Sequence, residues 1–216
     1  MNSYHKIHNV FRRDHETNKV VWWGFSKPEF HVLRDIPWLF TEKIDGMNMR
    51  IIYDDGLRIA GRTDKAQIKP DLRERCMEIG QKLEKHLVDH EDTGHKVCLY
   101  GEGFGPKIQK VGGLYGEKRD FILFDVWVNG QFLPRDEVEE IAETVGCLVV
   151  PAIGLGTLRS GVETVARGLK SKFGDFWAEG LIGRPVVELR DGSSGHCGRG
   201  ERIITKIKHR DLYIES

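Results

Sequence analysis

The apolar-rich stretches 47–53 (MNMRIIY) and 57–62 (LRIAGR) read as two extended runs, and the Asp54-Asp55-Gly56 step between them is turn chemistry, so this stretch reads as a β-hairpin. From Pro70 to about His90 the pattern changes. Leu72, Cys76, Ile79, Leu83 and Leu87 recur at helical spacing with charges elsewhere, and Pro70 suits a first turn. Segments 97–104 (VCLYGEGF) and 121–128 (FILFDVWV) are apolar enough for buried strands, the second closed by the turn dipeptide Asn129-Gly130. Two shorter helices are expected near 135–145, on Val138, Ile141, Ala142 and Val145, and near 161–170, on Val162, Val165, Ala166 and Leu169. Segments 178–190 (AEGLIGRPVVELR) and 202–208 (RIITKIK) read as strands on either side of a Gly/Ser-rich loop. Together these elements predict an α+β fold in which antiparallel sheets carry helices on their outer faces.

Composition narrows the picture without redirecting it. No repeat, low-complexity tract or linker interrupts the 216 residues, so one domain over 1–216 is expected. Lys plus Arg equals Asp plus Glu at 33 each, so net charge argues neither for nor against a nucleic-acid partner, and any such surface is local. The N-terminus has no apolar signal-like segment, and no uncharged run is long enough for a bilayer, so a soluble, unprocessed chain is expected. Cys76, Cys98, Cys147 and Cys197 are scattered with no C-x-x-C pair, which suits a reducing cytoplasm. His196-Cys197 lacks further ligands and is not read as a metal site. Trp22 and Trp23 are read as core, with Lys6, Arg12 and Arg13 as solvated charges.

Candidate chemistry begins at TEKIDGMN, 41–48, where Lys43, Asp45 and Gly46 form a K-x-D-G pattern ahead of the first hairpin strand. Alone it is a weak signal. In order there follow Gly61-Arg62-Thr63, Tyr100-Gly101-Glu102-Gly103, Phe124-Asp125, Glu179-Gly180 and Lys206-Ile207-Lys208. Glu179, Lys206 and Lys208 are charges in otherwise apolar strands, where a charge is costly unless it has a task or a partner. Lys206 and Lys208, two apart on a strand, point to one face. Strict alternation places Phe124 with Ile122 on one face of its strand and Asp125 with Leu123 on the other.

The set and its order resemble the covalent nucleotidyltransferases, which comprise ATP-dependent DNA ligases, RNA ligases and mRNA capping enzymes, over nearly the whole chain. EKIDGMN, GEGFG, FILFDV and EGLIGRP are most similar to the nick-sealing, type 2-like RNA ligases found in phages and elsewhere. The resemblance implies an ATP-grasp-like adenylation domain that takes ATP with magnesium or manganese. It further implies that Lys43 attacks the α-phosphate and carries AMP, which moves to a 5′-phosphate before a 3′-hydroxyl seals the break. A lysine amine attacks only when deprotonated, and nearby positive charge from Lys206 and Lys208 favours that form while also neutralising phosphate oxygens.

By the same resemblance Glu179 is the metal candidate, Glu102 a ribose contact, Arg62 a ribose or phosphate contact, and Phe124 the stacking partner of adenine. An aromatic face accepts any base, so preference for adenine falls to backbone or polar groups near Thr41 and Glu42. Asp45 and Gly46 shape the turn that presents the lysine. Asn48 matches the nick-sealing pattern; Asp45 stands where His is frequent and Met47 where Thr is frequent. The implied partner is nicked or broken RNA, with an RNA/DNA hybrid or DNA left open. Because the chain ends soon after Lys208, no C-terminal OB or helical domain is expected in it, and a helper domain or protein becomes a candidate partner. A DNA ligase catalytic domain and a non-catalytic nucleotide- or nucleic-acid-binding relative remain the alternatives, with a capping guanylyltransferase behind them.

Overall fold

The computed structural model describes residues 3–91, 94–192 and 200–212, and the His196-Cys197 pair lies outside them. The elements run β1 (His8–Asn9), β2 (Phe11–Arg13), β3 (Val20–Phe25), α1 (Pro28–Val32), β4 (Trp38–Lys43), β5 (Met47–Tyr53), β6 (Leu57–Gly61) and α2 (Pro70–Asp89). They continue β7 (Val97–Phe104), β8 (Asp120–Val128), β9 (Gln131–Phe132), α3 (Arg135–Val145), β10 (Leu148–Val149) and β11 (Ala152–Gly156). The last are α4 (Leu158–Ala166), β12 (Gly180–Pro185), β13 (Thr205–Lys208) and α5 (His209–Leu212). This is the expected α+β class, and the chain divides into two compact units: residues 1–4 with 45–150, and residues 5–44 with 151–216.

The 45–150 unit is built on a six-stranded sheet ordered β10-β8-β7-β5-β6, with β9 added to β8. Its β5–β6 hairpin pairs Tyr53 with Leu57 through Ile51 with Ile59, and Asp55 and Gly56 take the positive φ that the turn demands. The predicted helix is α2. It buries Leu72, Cys76, Ile79, Leu83 and Leu87 against Ile51, Leu99, Phe121 and Leu123 of the sheet. Each such aliphatic side chain, fully removed from water, contributes about 1.5–3 kcal/mol. Arg119 fixes the start of α2 by donating from Nη1 to Asp71, 2.6 Å away. The next helix, α3, adds Val138, Ala142 and Val145 to the same core and ends on Gly146 in the left-handed conformation.

Alternation along β8 breaks where the sequence predicts it to continue. Tyr100 pairs with Asp125 but Gly101 pairs with Leu123, so Phe124 is the extra residue of a β-bulge. Beyond it the phase is reset. Leu123 and Val126 both join the core beneath the helices, whereas the Asp125 carboxylate accepts a hydrogen bond from Tyr4 Oη and the Phe124 ring also meets Tyr4, edge on at 5.0 Å. Asp125 therefore does not share a face with Leu123, contrary to strict alternation.

The second unit carries a five-stranded sheet, β1-β13-β12-β4-β11, and a separate β2–β3 pair. The helix expected at 161–170 is α4, shifted toward the N-terminus. Thr157 caps it by accepting from the Ser160 amide at 3.2 Å, and Gly168 at φ +92° stops the chain from continuing as helix. The strand expected over 178–190 holds only for β12, because Pro185 offers no N–H and Val186 turns aside to donate to Pro37. Likewise 202–208 narrows to β13, with Arg202 in an isolated antiparallel bridge to Arg190 and its buried side chain donating to Glu188. Phe40, Leu181 and Ile207 from three adjacent strands pack on Leu158, Val162 and Val165 of α4. Trp22 and Trp23 are not core: they are 40% and 45% exposed, and the Arg159 guanidinium lies 5.1 Å from the Trp23 ring centroid.

Candidate active site

In the second unit, strand β12 lies between β4 and β13, and its register aligns the charged residues. Gly180 is the Cα partner of Lys43 on one side and of Lys208 on the other; Ile182 is the partner of Thr41 and of Lys206. Since side chains two apart share a face, Lys43, Lys206 and Lys208 all project from one side of the sheet. Their neighbours Phe40, Leu181 and Ile207 fill the core on the other. Lys43 is the last residue of a strand, β4, which the sequence pattern did not reveal ahead of β5.

Glu179 precedes β12 and accepts from two ammonium groups, a short contact with Lys43 Nζ and an ion pair with Lys208 Nζ at 3.5 Å. All three side chains are largely shielded, which strengthens their mutual attraction relative to water. The backbone ties in as well, His209 N donating to Glu179 O at 2.9 Å. Lys206 has a lowered pKa, first because burial penalises its charge and then because Lys208 and Lys43 repel it; Glu179 opposes this and Lys6 adds to it. Three lysines thus converge on one carboxylate, and a phosphate chain is the chemistry that would balance the excess positive charge.

Thr41 is buried within β4. Glu42 is 1% exposed and turned to the opposite face, where its carboxylate accepts from Ser171 Oγ at 2.6 Å and from the Lys172 amide at 2.8 Å. Its side chain is thereby committed within the protein, and so is its backbone amide, which donates to Pro151 O at 3.0 Å.

The remaining predicted residues belong to the 45–150 unit. Asp45 N donates to Tyr115 Oη at 3.1 Å, and Gly46 O accepts from Gln109 Nε2 at 3.3 Å. A Cβ on Gly46 would stand 2.5 Å from the Gly103 carbonyl oxygen, so the close approach requires glycine. On adjacent strands β5 and β7, Asn48 and Glu102 are cross-strand partners. Asn48 Oδ1 is buried without a protein donor, the state expected of an atom awaiting a ligand or water. Arg62 is exposed just beyond β6, and Phe124 is half-buried on the bulge.

Two contributors escaped sequence reasoning. Arg50, buried in β5, donates to Gly61 O at 2.9 Å and to Asp64 at 2.7 Å, bracketing Arg62. Its signal was present, a lone charge inside the apolar run MNMRIIY. Tyr4 meets Phe124, Asp125 and Tyr100, and nothing in the local sequence pointed to it.

Among the described residues no three of His, Cys, Asp and Glu gather into a preformed metal cage, and no helix is long and apolar enough to cross a membrane. Cys76, Cys98 and Cys147 are free thiols whose pKa burial pushes up to about 12.

No curated protein matches the chain. Among solved structures, a mutant of Naegleria gruberi RNA ligase with ATP and manganese is similar at a TM-score of 0.61 and 18% identity, over 84% of this chain and 52% of that one. Another mutant, with AMP and manganese, gives 0.62 and 19%, over 86% and 53%. The same ligase with pyrophosphate gives 0.60 and 18%, over 94% and 59%. This chain spans little more than half the length of those relatives, and at such identity the likeness is one of fold. The sequence profile described as RNA ligase matches residues 36–208, most of the molecule, and the chain belongs to the RNA ligase family.

Proposed function

We propose that this chain is the adenylating module of an ATP-dependent polynucleotide ligase acting on RNA, with Lys43 as the nucleophile. The observation that carries the reading is the cluster of Lys43, Lys206 and Lys208 around Glu179 on one face of one sheet. With ATP present, the unprotonated Lys43 amine attacks the α-phosphorus, a phosphorus–nitrogen bond forms, the bond to the β-phosphate oxygen breaks, and pyrophosphate leaves. Lys206 and Lys208 offset charge on the phosphates, and the lowered pKa of Lys206, due first to burial and then to repulsion by Lys208 and Lys43, shows that its charge is costly before an anion enters.

In the second step an oxygen of an RNA 5′-phosphate displaces Lys43 and takes the AMP. In the third a 3′-hydroxyl attacks that 5′-phosphate and AMP leaves. All three are phosphoryl transfers served by positioning and charge neutralisation. Asn48, Arg62, Glu102 and Phe124 are proposed nucleotide contacts, with adenine preference arising from backbone or polar groups near Thr41 and Glu42. Asp45 and Gly46 hold the turn after Lys43.

Magnesium or manganese, when bound, would neutralise phosphate oxygens and stabilise the leaving pyrophosphate. The residues fit such an ion. Magnesium is held in nucleotide sites by one or two carboxylates together with phosphates and waters, and Glu179 is one half-buried carboxylate. The Naegleria gruberi RNA ligase structures with ATP, AMP, pyrophosphate and manganese support the same ligand set.

Incubation with α-labelled ATP and magnesium, then denaturing electrophoresis, tests the covalent step. Label is expected on the wild-type chain and absent from Lys43→Ala. A label-free wild type, with ATP binding measured in parallel, would sink the covalent reading. Nicks with ribose or deoxyribose at the 3′-hydroxyl side then separate RNA from DNA sealing.

A further inference from the structure

A cavity of about 360 Å³ in the second unit is walled by Ala166, Arg167, Gly168, Trp177 and His209. None of these residues is used by the chemistry above. The indole of Trp177 is 51% exposed, although burial is the usual fate of so large an apolar side chain. Its position is nevertheless well determined. The Lys170 ammonium sits 4.2 Å from the indole centroid, and the His209 ring lies nearly parallel to it, at 9° and 5.9 Å. Gly168, at φ +92°, makes room for it, since a Cβ there would stand 2.7 Å from the indole edge. Lys170 and Trp177 also face each other across an isolated antiparallel bridge.

The lining is aromatic and cationic and contains no carboxylate. Glu163 and Asp175, the nearby acids, are paired with Arg167 and Lys170. Aromatic faces accept any nucleobase, and adjoining guanidinium and ammonium groups donate to its phosphate oxygens. The volume lies at the low end of the roughly 300–1,000 Å³ of small-ligand sites, which suits one unstacked nucleotide and not a duplex. The cavity also adjoins the reacting cluster along the chain: Trp177 lies two residues before Glu179, and His209 follows Lys208 and donates from its amide to Glu179 O.

We propose that this cavity is an RNA subsite that captures one unpaired nucleotide of the strand being joined, its base against Trp177 and its phosphate at Arg167. The subsite rests on the ligase reading above, and it assigns the substrate contact to residues outside the shared motifs. It makes the chain read an exposed base by stacking, without sequence preference.

Binding of a fluorescent single-stranded RNA with a 5′-phosphate, followed by anisotropy at low salt, tests this. Trp177→Ala is expected to weaken binding roughly tenfold or more, as loss of a stacked base does, while α-labelled ATP still marks Lys43. Trp177→Phe keeps an aromatic face, so its affinity should stay within a few-fold of wild type, while the quenching of tryptophan emission by RNA disappears. Unchanged affinity in a Trp177→Ala chain that melts normally would overturn the proposal. So would equal quenching in wild type and Trp177→Phe, a comparison that stands even if Trp177→Ala fails to fold. Failure of ATP labelling in the wild type removes the ligase reading alone, because the RNA measurements require no ATP.

Discussion

Gly180 and Ile207 approach so closely that a Cβ on the glycine would stand 1.9 Å from the Ile207 carbonyl oxygen. The glycine also sits at φ +151°, a conformation that side-chain-bearing residues rarely adopt. This contact sets the spacing of β12 and β13 at the row that holds Lys43 and Lys208. Gly180→Ala is therefore expected to destabilise the fold by at least the 1–3 kcal/mol or so of a strained backbone residue and to depress adenylylation further than the stability loss explains. Thermal melting beside label transfer checks it; an unchanged melt would mean that the strands separate without consequence.

Glu179→Gln preserves shape while removing the charge that holds Lys43 and Lys208. Adenylylation should slow by roughly 10- to 100-fold, the usual effect of losing a carboxylate that supports a metal site, and the metal concentration for half-maximal rate should rise. A metal titration of single-turnover label transfer reads both. If rate and metal dependence both match wild type, Glu179 has no part in the step.

For Lys206 the sign of the pH dependence follows from its lowered pKa. Between its folded pKa and the ordinary lysine value the unfolded chain binds more protons, so stability rises with pH across that window. Below the window the folded protein bears the full penalty of the crowded charge. Lys206→Met should raise the melting temperature of the nucleotide-free protein at neutral pH and flatten that alkaline rise. Pyrophosphate, by supplying anions, should stabilise wild type more than the variant. Melts from neutral to alkaline pH, with and without pyrophosphate, test both parts.

Arg50 holds Gly61 O and Asp64 from inside β5, fixing the segment that carries Arg62. Losing those charge-assisted bonds costs about 1.5–3 kcal/mol, so Arg50→Met should lower the melting temperature. It should also raise the KM for ATP in adenylylation more than it lowers kcat, if Arg62 contacts the nucleotide. Arg50→Lys should restore little, because one ammonium cannot span both acceptors in the guanidinium's fork geometry.

Regular periodicity was readable and its interruptions were not. The apolar spacing of Leu72, Cys76, Ile79, Leu83 and Leu87 gave α2 to within a residue, because one packed face determines a long helix. The β5–β6 hairpin followed from its turn residues. By contrast β1, β10 and β11 are short strands that exist through pairing with distant partners, such as His8 with Thr205, and short segments carry no periodic signature. The bulge at Phe124 depends on a register shift between β7 and β8. Of the site, the identities of Lys43, Glu179, Lys206 and Lys208 were legible from motif order, and the direction of alternation gave the shared face of the last two. The alignment of Lys43 and Lys208 across Gly180 was not, since β4 lies in a short apolar run whose pairing with β12 joins residues far apart in the sequence. Trp22 and Trp23 show the limit of composition, because a tryptophan pair reads as core until the strand that carries it proves to be half open to solvent.

Glu42 separates a structural role from a recognition role one residue away from the proposed nucleophile. Its carboxylate is buried and accepts from Ser171 Oγ and from the Lys172 amide, holding the segment after Lys170 to the sheet. Glu42→Gln replaces one acceptor oxygen by a donor, so only one of the two bonds survives without rearrangement, and the buried mismatch costs about 1–3 kcal/mol. The melting temperature should fall accordingly. If adenine is read by the strand's backbone, preference for ATP over GTP in label transfer should persist in the variant, with both rates scaled alike. A variant that keeps its stability but loses that preference would instead place the Glu42 side chain on the base, and would require the carboxylate to leave Ser171 when nucleotide binds.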